Sequence, residues 1–201
     1  LIITSPHRSE AEFALFRLCR WQLKAMELYL SENAFVGLLV STIEVYRKEC
    51  FGVLLGQSMS ERILVDFVVP YQTATRKFRE VHVDLMRSQR VEEAVRSTSR
   101  WECVGDYHSH PMYGTVRATT ILSAADKHFF KDGNVAIVVA INDSGRQQRW
   151  NYVLGGGVSG SINGYNIRIA GYYKANGTIG RAPIHCPYAI GFQAKELNSK
   201  E

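Results

Sequence analysis

The residues best equipped for chemistry are Gly105-Asp106-Tyr107-His108-Ser109-His110-Pro111, followed downstream by Ser123-Ala124-Ala125-Asp126. Two histidines at i and i+2 on an extended segment point to the same side, because strand side chains alternate with period two. That spacing lets one cation engage both imidazoles. Zinc takes imidazole and carboxylate ligands, and a catalytic zinc site combines three protein ligands with a water. His108, His110 and Asp126 supply such a set. Pro111 closes the extended run, since it has no N–H to give to a ladder. Upstream, Glu49 stands at the mouth of the apolar run Cys50-Phe51-Gly52-Val53-Leu54-Leu55-Gly56. A carboxylate there is costly unless partnered or wetted. Beside a bound metal it would accept the proton of an attacking water, whose acidity the metal raises.

Taken singly, each feature has a plainer explanation. An H-x-H pair also fits a solvent-facing strand, and Glu49 also fits the solvated end of a preceding helix. Ser123 and Asp126 also fit a helix N-cap with its capping-box partner; that role is compatible with the other, since a cap would hold both residues rigidly beside the histidines. His82 and His128 read as structural or surface residues, and no partner can be argued for His7 or His185. Gly155-Gly156-Gly157 opens no helix, so it reads as a hairpin link and not a phosphate cradle. Cys186-Pro187 does not complete the P-C-x-x-C half of a deaminase zinc site.

The elements that must position these residues follow from patterning. Residues 10–25 carry Phe13, Phe16, Leu18, Trp21 and Leu23 at helical spacing, which predicts an N-terminal helix. Residues 26–30 alternate like a short strand. Ser31, ahead of Phe35, Leu38, Leu39, Ile43 and Tyr46, predicts a capped helix, with Arg47 and Lys48 suiting its negative end. Residues 50–56 and 62–69 predict a strand hairpin, and 78–84 a third extended segment. Residues 85–99 form an amphipathic surface helix, and 101–107 a strand ending in the histidine cluster. A loop over 111–122, a short helix over 123–131 and a buried strand over 135–141 come next. Residues 148–154 and 165–173 predict a final strand pair across a glycine-rich link, after which periodicity fades. This alternation predicts an α/β domain with a mixed central sheet flanked by helices.

Composition bounds the function. The chain has 201 residues, 46% of them apolar, enough to bury a core without staples. Its longest apolar run, Val135 to Ile141, is far short of the roughly 20 residues a membrane helix needs, so no membrane partner is expected. No signal peptide is read at the start. Four scattered cysteines (Cys19, Cys50, Cys103, Cys186) suit a reducing, cytoplasmic setting. The net charge of +5 is dispersed, which argues against nucleic acid and leaves an acidic protein surface as the better partner.

Glu49, the Gly105–Pro111 box and Ser123-x-x-Asp126, in that order, resemble the JAMM (MPN-plus, Mov34/MPN/PAD-1) metalloprotease family. The likeness runs over residues 26 to about 174 and implies a single MPN-like domain with cytidine-deaminase-like layering. It also implies one zinc per chain, held by His108, His110 and Asp126, with Glu49 as general acid/base and Ser123 as hydrogen-bond donor to the developing oxyanion. The implied activity is hydrolysis of peptide or isopeptide bonds at the C-terminus of a ubiquitin-like or sulfur-carrier-like protein. A catalytically silent, protein-binding MPN scaffold and a small-amide hydrolase are the alternatives. The chain then divides into an N-terminal helical extension (1–25), the catalytic domain (26–174) and a C-terminal tail (175–201). One departure stands out: fifteen residues separate His110 from Asp126, about five more than the family's usual spacing, in a loop where insertions are well tolerated.

Overall fold

Strand β1 (Glu27–Leu30) leads directly into Ser31, whose Oγ accepts the Ala34 N–H at 3.1 Å and caps helix α1 (Glu32–Glu44). The structure, a computed structural model, describes residues 26–71, 75–76, 81–82, 85–98 and 100–192. The helix expected over 10–25 lies outside these residues. Helix α1 stops earlier than its apolar spacing suggests. The Tyr46 N–H reaches back to Ile43 and the Lys48 N–H to Val45, and Arg47 turns left-handed at φ 79°. Arg47 and Lys48 therefore stand in the turn beyond the helix and not in its last turn.

That turn delivers the chain into β2 (Phe51–Ser58), which forms the expected hairpin with β3 (Arg62–Pro70). Of the extended run expected over 78–84, the described part is β5 (Val81–His82), antiparallel to β4 (Thr75–Arg76). Helix α2 (Leu85–Thr98) precedes β6 (Glu102–Pro111), which continues through the histidines to Pro111. Helix α3 (Ala124–Phe129) and the almost wholly buried β7 (Val135–Asp143) follow.

The closing region differs from the expected strand pair. Between β8 (Asn151–Val153) and β10 (Tyr165–Ala175) lies β9 (Gly157–Ile162), which pairs with both. Its Gly-Val-Ser-Gly-Ser-Ile sequence alternates only weakly, because glycine stands between Val158 and Ile162, where the Trp150 ring lies against Gly160 and leaves no room for a side chain. Nor do residues beyond 175 trail off: β11 (Thr178–Ala182), β12 (Ile184–His185) and helix α4 (Pro187–Gly191) are all built into the domain.

Ten strands make one mixed sheet in the order β12-β1-β3-β2-β6-β7-β10-β9-β8, with β11 also on β10. The β1–β3, β1–β12 and β6–β7 pairs are parallel. The sheet curls until its far strands meet, for Pro183, just after β11, accepts the Leu28 N–H at 2.8 Å. Inside the curl Phe35, Leu38, Leu54, Tyr107, Ile137 and Ile169 form the main core under α1. The outer face carries two smaller clusters. Val53, Leu55 and Tyr71 pack with Val91 and Val95 of α2, while Leu122, Phe130, Val138 and Tyr172 pack on β7 and β10. The register of β2 shifts twice at one place, against β6 between Leu54 and Leu55 and against β3 between Leu55 and Gly56. No helix among the described residues is long and apolar enough to cross a membrane.

Candidate metal centre

Strand β6 is the spine of the site. Gly105 allows it to approach β7, since a Cβ there would run into the Val135 carbonyl oxygen. Alternation then sends Tyr107 and Ser109 into the core, both fully buried, and Asp106, His108 and His110 to the outer face. The antiparallel register pairs Phe51 with His108 and Gly52 with Tyr107, and Glu49, two residues before Phe51, is near enough for its charge to act on His110.

Helix α3 brings the third candidate donor. Ser123 Oγ accepts the Asp126 N–H at 3.1 Å, and Asp126 Oδ2 accepts the Ser123 N–H at 2.6 Å. This capping box aims Oδ2 at the imidazoles. Asp126 Oδ2 lies 3.5 Å from His108 Nε2 and 3.7 Å from His110 Nε2, and the two Nε2 atoms are 3.2 Å apart. Ligands about 2.0–2.2 Å from a tetrahedral zinc sit about 3.3–3.5 Å from one another. The triangle found here, 3.2–3.7 Å on a side, is close to that size, so the three donors could hold one zinc ion.

The surroundings tune the donors. His110 Nδ1 lies 2.8 Å from the Thr119 carbonyl oxygen, which can only accept, so Nδ1 carries the proton and the Nε2 lone pair faces the cluster. Burial works against charge on His110, but the hydrogen bonds to Asp126 and Thr119 and the charges of Asp126 and Glu49 together hold its pKa above 6.5. Burial also opposes charge on Asp126, but its bonds to His108, His110 and the Ser123 N–H hold its carboxyl well below the usual carboxylate range. Asp106, beside them, is pushed up to about 6 by burial, against the pull of His108.

Three of the five residues singled out by spacing form one donor cluster. His108, His110 and Asp126 make up that cluster, Ser123 borders it through Asp126, and the charge of Glu49 acts on His110. Three contributors escaped the sequence reading. Ser109 joins β6 to Cys50, next to Glu49; its place between two histidines that share a face is the signal that it points the other way. Thr119 contributes a backbone carbonyl, which no side-chain pattern announces. Asn142 is a polar residue, 4% exposed, directly after the apolar run of β7, a combination that signals a specific hydrogen bond.

A family model described as prokaryotic homologs of the JAB domain matches residues 35–153, more than half of the chain, and spans Glu49, both histidines, Ser123 and Asp126. No curated protein matches the sequence. The solution structure of protein DSY2949 from Desulfitobacterium hafniense is similar, with a TM-score of 0.57 at 15% identity, over 87% of this chain and 99% of that one. At that identity the likeness concerns the fold alone.

Proposed function

This chain belongs to the prokaryotic homologs of the JAB domain, within the JAMM/MPN family, and on that premise we propose that it is a zinc-dependent peptidase or isopeptidase. Its substrates are peptide or isopeptide bonds at the C-terminus of a ubiquitin-like or sulfur-carrier-like protein. The convergence of His108, His110 and Asp126 into a triangle of zinc-ligand size is the observation that carries this assignment. Tyr113, Val116, Ile121 and Phe129, all exposed in the segment that brings Asp126 to the histidines, favour a protein substrate over a small amide. A reducing, cytoplasmic setting suits the described cysteines Cys50, Cys103 and Cys186, none of which is in a disulfide.

When bound, zinc would supply Lewis acidity, polarising the scissile carbonyl and lowering the pKa of a water to about 7. Glu49, half-buried and with its charge acting on His110, takes a proton from the attacking water and passes it to the departing amine as the C–N bond breaks. Ser123 accepts the Asp126 N–H with a lone pair, which leaves its O–H to donate to the developing oxyanion. Thr119 keeps His110 in the tautomer that offers Nε2 to the metal.

The test is cleavage of ubiquitin-like C-terminal fusions by zinc-loaded protein. Chelator-sensitive cleavage that is lost in Glu49→Gln is the expected result. Absence of stoichiometric zinc binding would leave a protein-binding scaffold, and turnover of small amides alone would redirect the substrate assignment.

A further inference from the structure

We propose that Asn142, a residue that touches neither the donor cluster nor a reacting atom, is a positioning residue that sets the orientation of His110 by pinning the long loop between the histidines and Asp126. The inference rests on the metal-centre assignment above for its zinc measurement, and on hydrogen-bond geometry alone for the rest.

A loop this long on a surface should wander unless it is tied. Here it is tied at three consecutive residues, each to a different strand. Asn142 of β7 accepts the Ala118 N–H at 2.8 Å and donates its own amide to the Ala118 carbonyl at 3.3 Å. His110 of β6 bonds the Thr119 carbonyl at 2.8 Å, and the Tyr172 hydroxyl of β10 donates to the Thr120 carbonyl at 2.5 Å. Farther back, the Met112 N–H donates to Ile141 at 3.0 Å. The direction of the Thr119 carbonyl is therefore set by the residues on either side of it.

Asn142 is the stronger of the two flanking ties, since it takes both backbone groups of one residue. It stands two positions after Ala140, the β7 partner of His110, on the same outer face. Packing does not account for it. A buried amide is costly unless its bonds are made, and both of its polar atoms are spent on Ala118. Releasing Ala118 frees the next carbonyl, and with it the acceptor that fixes the His110 ring and tautomer.

The experiment compares the wild-type protein with Asn142→Leu and Tyr172→Phe. Zinc affinity is measured by chelator competition, and the His110 Nδ1–H by histidine-selective NMR of the metal-free protein. The expected result for Asn142→Leu is zinc affinity about ten- to hundredfold weaker, full stoichiometry at saturating zinc, and a shifted or lost Nδ1–H signal. Tyr172→Phe should change affinity less than threefold. Should leucine not be accommodated, Asn142→Ser, too short to hold both Ala118 groups, gives the same readouts. Unchanged affinity with an unchanged Nδ1–H signal, or equal weakening in Tyr172→Phe, overturns the inference. If the wild-type protein fails to bind zinc, the metal assignment falls, while the Nδ1–H comparison still decides the role of Asn142.

Discussion

Ser109 and Cys50 are joined twice across the sheet: the Cys50 N–H donates to the Ser109 hydroxyl at 2.9 Å, and the Ser109 N–H donates to the Cys50 carbonyl at 3.1 Å. Cys50 follows Glu49 and Ser109 separates the two histidines, so this double link ties the backbone beside Glu49 to the backbone between the imidazoles. Ser109→Ala strips the buried Cys50 N–H of its acceptor and should destabilise the protein by about 1–3 kcal/mol in chemical denaturation. Turnover should fall while zinc stoichiometry stays at one per chain. Full turnover in a destabilised variant would mean that the link serves the fold alone.

Glu49→Gln retains the shape of the side chain and removes its basicity. Zinc content should be unchanged, and kcat should drop by about 10²–10⁴. Metal analysis alongside single-turnover cleavage reads both quantities on one sample. Turnover close to wild type would place the base on another residue.

His108→Ala leaves two donors of the cluster. Zinc should no longer bind stoichiometrically, and the metal should no longer protect the fold. For the wild-type protein, zinc at about a hundred times its Kd should add about 2.7 kcal/mol of stability, removable by chelator. Thermal melts of both proteins, with and without chelator, provide the comparison. Stoichiometric zinc in the variant would contradict the ligand assignment.

Acidity should act on the metal-free protein in a defined direction. The folded pKa of His110 lies above 6.5, so its stabilising contribution is complete below 6.5 and is lost as pH rises through the folded value. Asp106, pushed up from 3.8 to about 6, penalises the native state when ionised, and that penalty fades as pH falls. Asp126 sets the lower limit: its depressed pKa stabilises the fold above the ordinary carboxylate range and ceases to do so in stronger acid. Melting temperatures in chelator should therefore peak between about pH 4 and 6. The gain on adding zinc should grow as pH rises, because the metal must displace the His110 proton. A chelated protein most stable at pH 8 would contradict the hydrogen bonding described.

Much of this arrangement was legible in one dimension because it depends on short-range rules. Period-two alternation put His108 and His110 together, and the spacing of Ser123 and Asp126 is that of a capping box. The extra hairpins also carry a local signal. Asn163-Gly164 and Asn176-Gly177 are dipeptides whose residues all take positive φ, as two-residue hairpin turns require, and they form the β9–β10 and β10–β11 connections. Other features were not legible in any local sense. The acceptors that pin the long loop are backbone carbonyls of Ala118, Thr119 and Thr120, a group every residue carries. Which of them is used depends on strands up to 52 residues away.

The coincident register shifts in β2 divide that strand into two lengths that keep count separately. Before the shifts Gly52 faces Tyr107 of the histidine strand and Pro70 of the hairpin partner; beyond them Gly56 faces Glu102 and Val65. The exposed Met59-Ser60 tip lies just past Ser58, at the end of β2 away from Glu49 and the histidines. That tip is accordingly the natural graft point for a reporter or an immobilisation handle, placed at the far end of the strand from the chemistry.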